Sequence, residues 1–464
     1  MAKVKDPTEL GKQSISHLLK QYALPAITAM IASSLYNIAD SIFIGQGVGP
    51  MGIAGLAITF PLMNVTAAFA SLVGVGAAAM ISIKFGEDDY LAANKIFGNV
   101  LSLNLILGIL VGALGLIFLD PILLFFGASK QTLPYAHDYM QVIMMGNVIL
   151  HLYFGLNGII RASGFPKLSM NFTILSVILN CIFTPLFIYQ FDWGIKGAAT
   201  GTILAQIISL AGQFYHFTKK GNILHLNRHT LSLKWQYIKN IISIGLSPFS
   251  MNLAACVIVI LINRGLSQYG GDMAVGAYGI LNRVVFLFIM IILGLNQGMQ
   301  PIAGYNYGAL NFSRVREVTL LTIKYATAIS FTGFILGELF PYQIAAIFTK
   351  DEELIQMTAT GLRIVLVGFP IVGFQIVGTN LFTSINKAKT SIFLALSRQI
   401  LLLIPALLIL PRFFGTKGIW YSLPTADYLS FILTLIVFTH QMKQLTKKET
   451  EIIAKQKLNK KNNL

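Results

Sequence analysis

The chain of 464 residues is 55% hydrophobic and only 11% charged, with a mean hydropathy of +0.70. Soluble domains carry about 25% charged residues, so the composition excludes a soluble globular protein and points to a polytopic membrane protein. A net charge of +16 could suggest nucleic acid as a partner, but its distribution along the chain excludes that reading.

An apolar run of about 20 residues crosses the hydrocarbon as a helix. Twelve such spans are predicted, over 19–44, 53–83, 96–119, 136–160, 168–190, 195–217, 240–263, 274–304, 317–340, 355–385, 390–411 and 418–440. Residues 1–17 are polar and lack a cleavage-type small-residue site, so the first span is expected to remain in the membrane. Counted loop by loop, 24 lysines and arginines fall in the N-terminus, the even-numbered loops and the C-terminal tail, against 6 in the odd-numbered loops. Basic loops stay in the cytoplasm. The protein is therefore expected to be a multi-pass protein of the cytoplasmic (inner) membrane with both termini inside. The basic tail reads as an orienting segment near anionic lipid. Cys181 and Cys256 lie in apolar segments and are too few for a disulfide framework or a metal cluster.

The two halves of the chain repeat. Gly49 aligns with Gly271, Ile58 with Ile280, Gly74-Val75-Gly76 with Asn296-Gln297-Gly298, Gly86 with Gly308, and Lys167 and Ser169 with Lys389 and Ser391, all at an offset of 222 residues. "GIKG" at 194 then parallels "GTKG" at 415. Six spans per repeat give both halves one orientation, and hence a pseudo-twofold axis along the membrane normal. The expected fold is all-α, with twelve transmembrane helices in two six-helix lobes. Residues 1–217 form the first lobe, 218–239 a cytoplasmic linker, 240–440 the second lobe and 441–464 a basic cytoplasmic tail.

The stretches "YNIADSIFIG" (36–45), "RASGFPKLSMN" (161–171), "NRVVFLFIMIILGLNQGMQPIAGYNYGA" (282–309) and "GIWYSLPTADYLS" (418–430) resemble the multidrug and toxic compound extrusion (MATE) family of cation-coupled efflux antiporters, over about residues 14–440. The second half is similar to a bacterial multidrug subgroup. The resemblance implies export of amphipathic, often cationic compounds (drugs or toxic metabolites) by rocking alternating access. Inward H⁺ or Na⁺ would drive it, with no cofactor beyond the coupling ion and with a monomer as the functional unit.

The polar residues inside the spans carry the rest of the reading. Asp40 has no lysine, arginine or histidine between Lys20 and Lys84, and an intramembrane acid is by default functional. It can alternate between a protonated and an ionised state, or exchange its proton for a cation. The bland reading is an acid bonded to nearby hydroxyls such as Ser33, Ser34 or Ser41. Asn180 and Thr184 are one helical turn apart and share a face; by helical rise they, Thr202 and Asp40 all fall in the outer half of the first lobe. The family resemblance picks out Asp40, Asn180 and Thr202 as a cation or proton site, and Thr184 stands where the family commonly has a second carboxylate. In the second half, Arg398 and Asp427 fall at similar depth and are expected to form a structural ion pair or a gate. A substrate cavity needs apolar and aromatic walls with a few polar groups, for which Tyr36, Asn157, Asn282, Phe286, Met290, Gln297 and Gln300 are candidates. A flippase for lipid-linked polyanions is the nearest alternative; it would need several cavity cations, and only Arg283, Arg363 and Arg398 are available. No His–acid or Cys–His constellation in the spans suggests an enzyme.

Overall fold

The computed structural model describes residues 8–219, 221–225 and 233–462. Among the described residues there is helix and no strand. In lipid every backbone donor and acceptor must be satisfied within the segment, which helices alone achieve without a closed barrel. A short helix, Glu9–Lys12, leads into α1 (Ile15–Gly47), α2 (Pro50–Gly86) and α3 (Tyr90–Ile117). α4 is bent by 57° between Leu133–Met145 and Asn147–Ala162. α5 (Pro166–Gln190) and α6 (Gly194–Thr218) complete the first set.

The second set follows the same order. α7 (Trp235–Gly271) and α8 (Met273–Gly308) meet at a break, and α9 covers Phe312–Leu339. α10 is bent by 52° between Glu352–Leu366 and Phe369–Ser384, and α11 covers Ala388–Phe414. α12 runs over Thr416–Asn462. Each of the twelve predicted spans thus has a helix, two of them broken.

The backbone repeats more faithfully than the side chains. Left-handed residues recur as pairs: Gly49 with Gly271, Asp88 with Leu310, Gly164 with Asn386, and Gly194 with Gly415. The breaks in α4 and α10 are related in the same way, since Gly146 and Gly368 are 222 positions apart. Asp89 caps α3 by accepting from Ala92 N at 3.0 Å, and Asp351 does the same for Leu354 N at 2.9 Å.

The chain divides into two compact units, and they are not the two sequence repeats. One takes in Thr28–Leu253; the other holds Thr8–Ile27 with Ala254–Leu464. The division cuts through α1 and α7, so the beginning of each helix packs with the unit that its own end does not join. In the first unit the start of α7 lies against α2: a Cβ on Gly76 would sit 2.1 Å from Ile241 O, and one on Gly245 would sit 1.7 Å from Leu72 O. In the second unit the start of α1 lies against α8, where a Cβ on Gly298 would sit 2.6 Å from Ala23 Cα. Gly76 and Gly298 are repeat partners, as are Gly245 and position 23, so the two crossings are copies of one another.

The first unit has an apolar core around Ile44, Leu56, Leu123, Tyr139, Ile188 and Ile203, and the second around Ile262, Leu281, Leu362, Phe369, Leu403 and Trp420. The basic tail expected after residue 440 begins as a packed continuation of α12 rather than as a separate segment. α12 continues as helix, because Leu445 and Met442 bury against Phe312, Val315, Leu381 and Ile385. Lys387 Nζ donates to Gln441 Oε1 at 2.5 Å and to Gln444 Oε1 at 3.0 Å, and Arg316 pairs with Glu449. Burial, and then the nearby Lys448, hold Lys387 below the ordinary lysine range.

Candidate functional site

Asp40 lies in the part of α1 that belongs to the first unit, seven residues before the helix ends at Gly47. That is about 10 Å along the axis, a turn deeper than the span boundary at 44 suggested. Its side chain meets the end of α5, where the α-helix passes at Pro185 into a π-helical turn, Leu186–Gln190. α6 comes in close because Gly201 has no side chain: a Cβ there would lie 2.9 Å from Thr184 N.

These three elements bring the predicted quartet together. Thr184 Oγ1 donates to Asp40 Oδ1 at 3.0 Å. Asn180 Nδ2 donates to Thr202 Oγ1 at 2.8 Å, and Thr202 Oγ1 in turn donates to Ala198 O at 3.2 Å. All four residues are buried, Asp40 to 4% exposure and Thr184 to 0%. Asn180 Oδ1 is buried with no hydrogen-bond partner. Among the described residues no ion pair reaches Asp40. Ser41, one of the hydroxyls that could have masked the acid, donates instead to Asn37 O.

The cluster is chemically simple. It has one carboxylate, two threonine hydroxyls and one carboxamide oxygen free to accept. Such a set suits a proton on Asp40 or a hard cation, which takes oxygen ligands. Tyr139 is a neighbour that the sequence alone does not single out. It comes from α4, is 1% exposed, and lies within electrostatic reach of Asp40 and Tyr36. Nothing local in "PYAHDYM" marks it, since an aromatic in an apolar span has core packing as its default role.

Tyr36 is half-buried in the first unit, within hydrogen-bonding reach of Thr202. Asn157 is buried and fastens α4 to α5, donating to Ser169 O at 3.0 Å and accepting from Ser169 Oγ at 2.6 Å. Asn282, Phe286, Met290, Gln297 and Gln300 recur at helical spacing on one face of α8 in the second unit. Asn282 and Phe286 are exposed, Met290 and Gln297 half-buried, and Gln300 buried. Arg398 and Asp427, also in the second unit, meet with Nε 2.7 Å from Oδ1. Gln375 donates to the backbone carbonyl of Asp427.

Comparison with known proteins settles the class. The MatE family model matches twice, over residues 25–186 and 248–409, which together cover more than half the chain and coincide with the two repeats. The chain belongs to the MatE family. Among similar proteins are two named multidrug export protein MepA. The protein from Staphylococcus haemolyticus is 27% identical over 95% of this chain and 97% of its own length. The one from Staphylococcus aureus strain MSSA476 is 26% identical over the same shares. Among solved structures, the MATE multidrug transporter DinF-BH is 37% identical, with a TM-score of 0.87 over 94% of this chain and 98% of that one. A multidrug resistance MATE family transporter in an outward-facing conformation shares the fold at 24% identity, with a TM-score of 0.89 over 96% of this chain and 100% of that one. The protein is thus a MATE-family membrane transporter built on a doubled six-helix plan.

Proposed function

We propose that this MATE-family protein exports amphipathic, often cationic organic compounds in exchange for inward H⁺ or Na⁺, by alternating access, with Asp40 as the coupling acid. The observation that carries the reading is the buried Asp40 cluster, a single carboxylate surrounded by neutral oxygen groups. An ionised acid in hydrocarbon costs several kcal/mol, so Asp40 binds a proton or a cation in one half of the cycle and surrenders it where water reaches the site. Asn180, Thr184 and Thr202 supply the neutral ligands. The relatives named for multidrug export, and the multidrug transporter DinF-BH, support small organic cargo. The face of α8 bearing Asn282, Phe286, Met290 and Gln297 offers the apolar and aromatic wall such cargo needs. The lysine and arginine bias supports cytoplasmic termini in the inner membrane.

Of the three cations open to the flippase alternative, two are engaged, and Arg283 is exposed. Arg398 is engaged by Asp427, and Arg363 lies 5.6 Å from the ring centre of Tyr342. The experiment is transport of a fluorescent organic cation into or out of proteoliposomes, with proton and sodium gradients imposed separately. Export driven by either gradient supports the reading; transport indifferent to both overturns it.

A further inference from the structure

The Arg398–Asp427 pair does not have the form of a closed structural salt bridge. Asp427 is 6% exposed at the side chain, but Arg398 is 33% exposed, so one partner is sealed and the other reaches accessible space. The pair sits where three helices of the second unit all depart from regular geometry. α10 is broken between Leu366 and Phe369, α11 winds as a π-helix over Ser397–Leu403, and α12 carries Pro424 in its interior. Gly368 at the α10 break faces this point, since a Cβ there would lie 3.3 Å from Asp427 Cβ. π segments are rare and concentrate at functional sites, and interrupted membrane helices are where transporters build their binding sites.

A second observation points to a ligand. Gln375 is 4% exposed and spends its Nε2 on the backbone carbonyl of Asp427. That bond fixes which end of the amide is which, and leaves Oε1 buried without a partner. Around Asp427 there are thus a carboxylate, held now by the part-exposed guanidinium of Arg398, and a second, unpartnered acceptor on the amide that binds the Asp427 backbone carbonyl. An acidic acceptor and a neutral one on two helices in contact suit the N–H groups of an amidinium, guanidinium or protonated amine, and are too few for the six-oxygen shell of a hard metal ion.

We propose that Asp427 and Gln375 form a binding site for organic cations bearing N–H donors, in which the ligand takes the place of Arg398. A buried carboxylate stripped of its cation is strongly destabilised, so Arg398 leaves only as another cation arrives. The swap makes binding an exchange rather than a simple addition. It also gives the second unit an acid that contacts cargo, distinct in position and partners from Asp40.

The test is binding of benzamidinium, and of tetraphenylphosphonium as an equally charged cation without N–H donors, to the purified full-length protein by titration calorimetry. If Arg398 competes for Asp427, Arg398→Ala raises benzamidinium affinity at least tenfold and raises tetraphenylphosphonium affinity far less. Arg398→Lys, a weaker competitor with a single charged nitrogen, gives a gain of the same sign and smaller size, and serves as the test if the alanine variant does not fold. Gln375→Leu weakens benzamidinium about tenfold and leaves tetraphenylphosphonium unchanged. Benzamidinium binding that is unaltered or weaker in a monodisperse Arg398 variant overturns the site, as does a gain seen with Na⁺ in place of benzamidinium. The cargo class rests on the export reading. These titrations use no gradient, so failure of gradient-driven transport counts against export while unchanged affinities count against this site.

Discussion

Thr184 and Asp40, 144 positions apart, are joined by a hydrogen bond of 3.0 Å from the threonine hydroxyl to the carboxylate. A hydrogen bond to a charged group contributes about 1.5–3 kcal/mol, and it favours the ionised acid over the protonated one. Thr184→Val removes the donor at nearly constant shape. Transport by this variant is expected to persist with its pH profile displaced, because the proton on Asp40 is then released less readily. An unchanged profile would mean that Asp40 does not titrate during turnover.

Asp40→Asn keeps the side-chain volume and the capacity to hydrogen-bond Thr184, but it can neither ionise nor carry a proton. Gradient-driven export is expected to fall to background while the detergent-purified protein keeps its thermal stability, since no ion pair is broken. Dye efflux from vesicles at the wild-type rate would remove Asp40 from the coupling mechanism.

Arg398 and Asp427 are predicted to be thermodynamically coupled. Truncating one member of a buried pair leaves an unpartnered charge, whereas replacing both costs less. Because Arg398 is a third exposed, each single variant (Arg398→Ala, Asp427→Ala) should lose roughly 2 kcal/mol, below the full range for sealed pairs. The double variant should lose less than the sum of the two. Additive losses in thermal melts would show that the residues do not interact in the membrane.

The crossings of α7 with α2 and of α1 with α8 depend on missing side chains. Gly245→Ala would place a Cβ 1.7 Å from Leu72 O, and a backbone atom cannot move aside cheaply. We expect a loss of about 3 kcal/mol or more by overpacking, read as a lowered melting temperature. Gly279→Ala, where a Cβ meets nothing within 4 Å, is the control and should be neutral or slightly stabilising.

Leu310 holds a left-handed backbone at φ 58°, a conformation that costs a side-chain-bearing residue about 1–2 kcal/mol. Its repeat partner is Asp88, a residue type that tolerates this conformation. Leu310 is 57% exposed, so little packing is forfeited by removing it. Leu310→Gly should stabilise the protein by roughly 0.5–1 kcal/mol. A melting temperature that falls would mean the leucine is held by contacts outside the chain, lipid being the nearest.

What the sequence determined was everything governed by short-range rules. Apolar runs must become helices in lipid because the backbone has no other way to satisfy its hydrogen bonds. The 222-residue offset therefore passed directly into paired breaks and paired left-handed turns. Asn180 and Thr184 could be assigned to one face from their spacing alone, and Arg398 and Asp427 to one depth. The tertiary structure decided what depth and periodicity leave open. Rotation about a helix axis is set by packing against neighbours, so only the folded chain directs Thr184 rather than Asn180 to the carboxylate. Only the folded chain cuts α1 and α7 between two units, because that exchange depends on glycine–backbone contacts between segments more than 150 positions apart. The helical tail is the same case: its basic residues favour water, and only the long-range burial of Leu445 against Phe312 and Leu381 outweighs that preference.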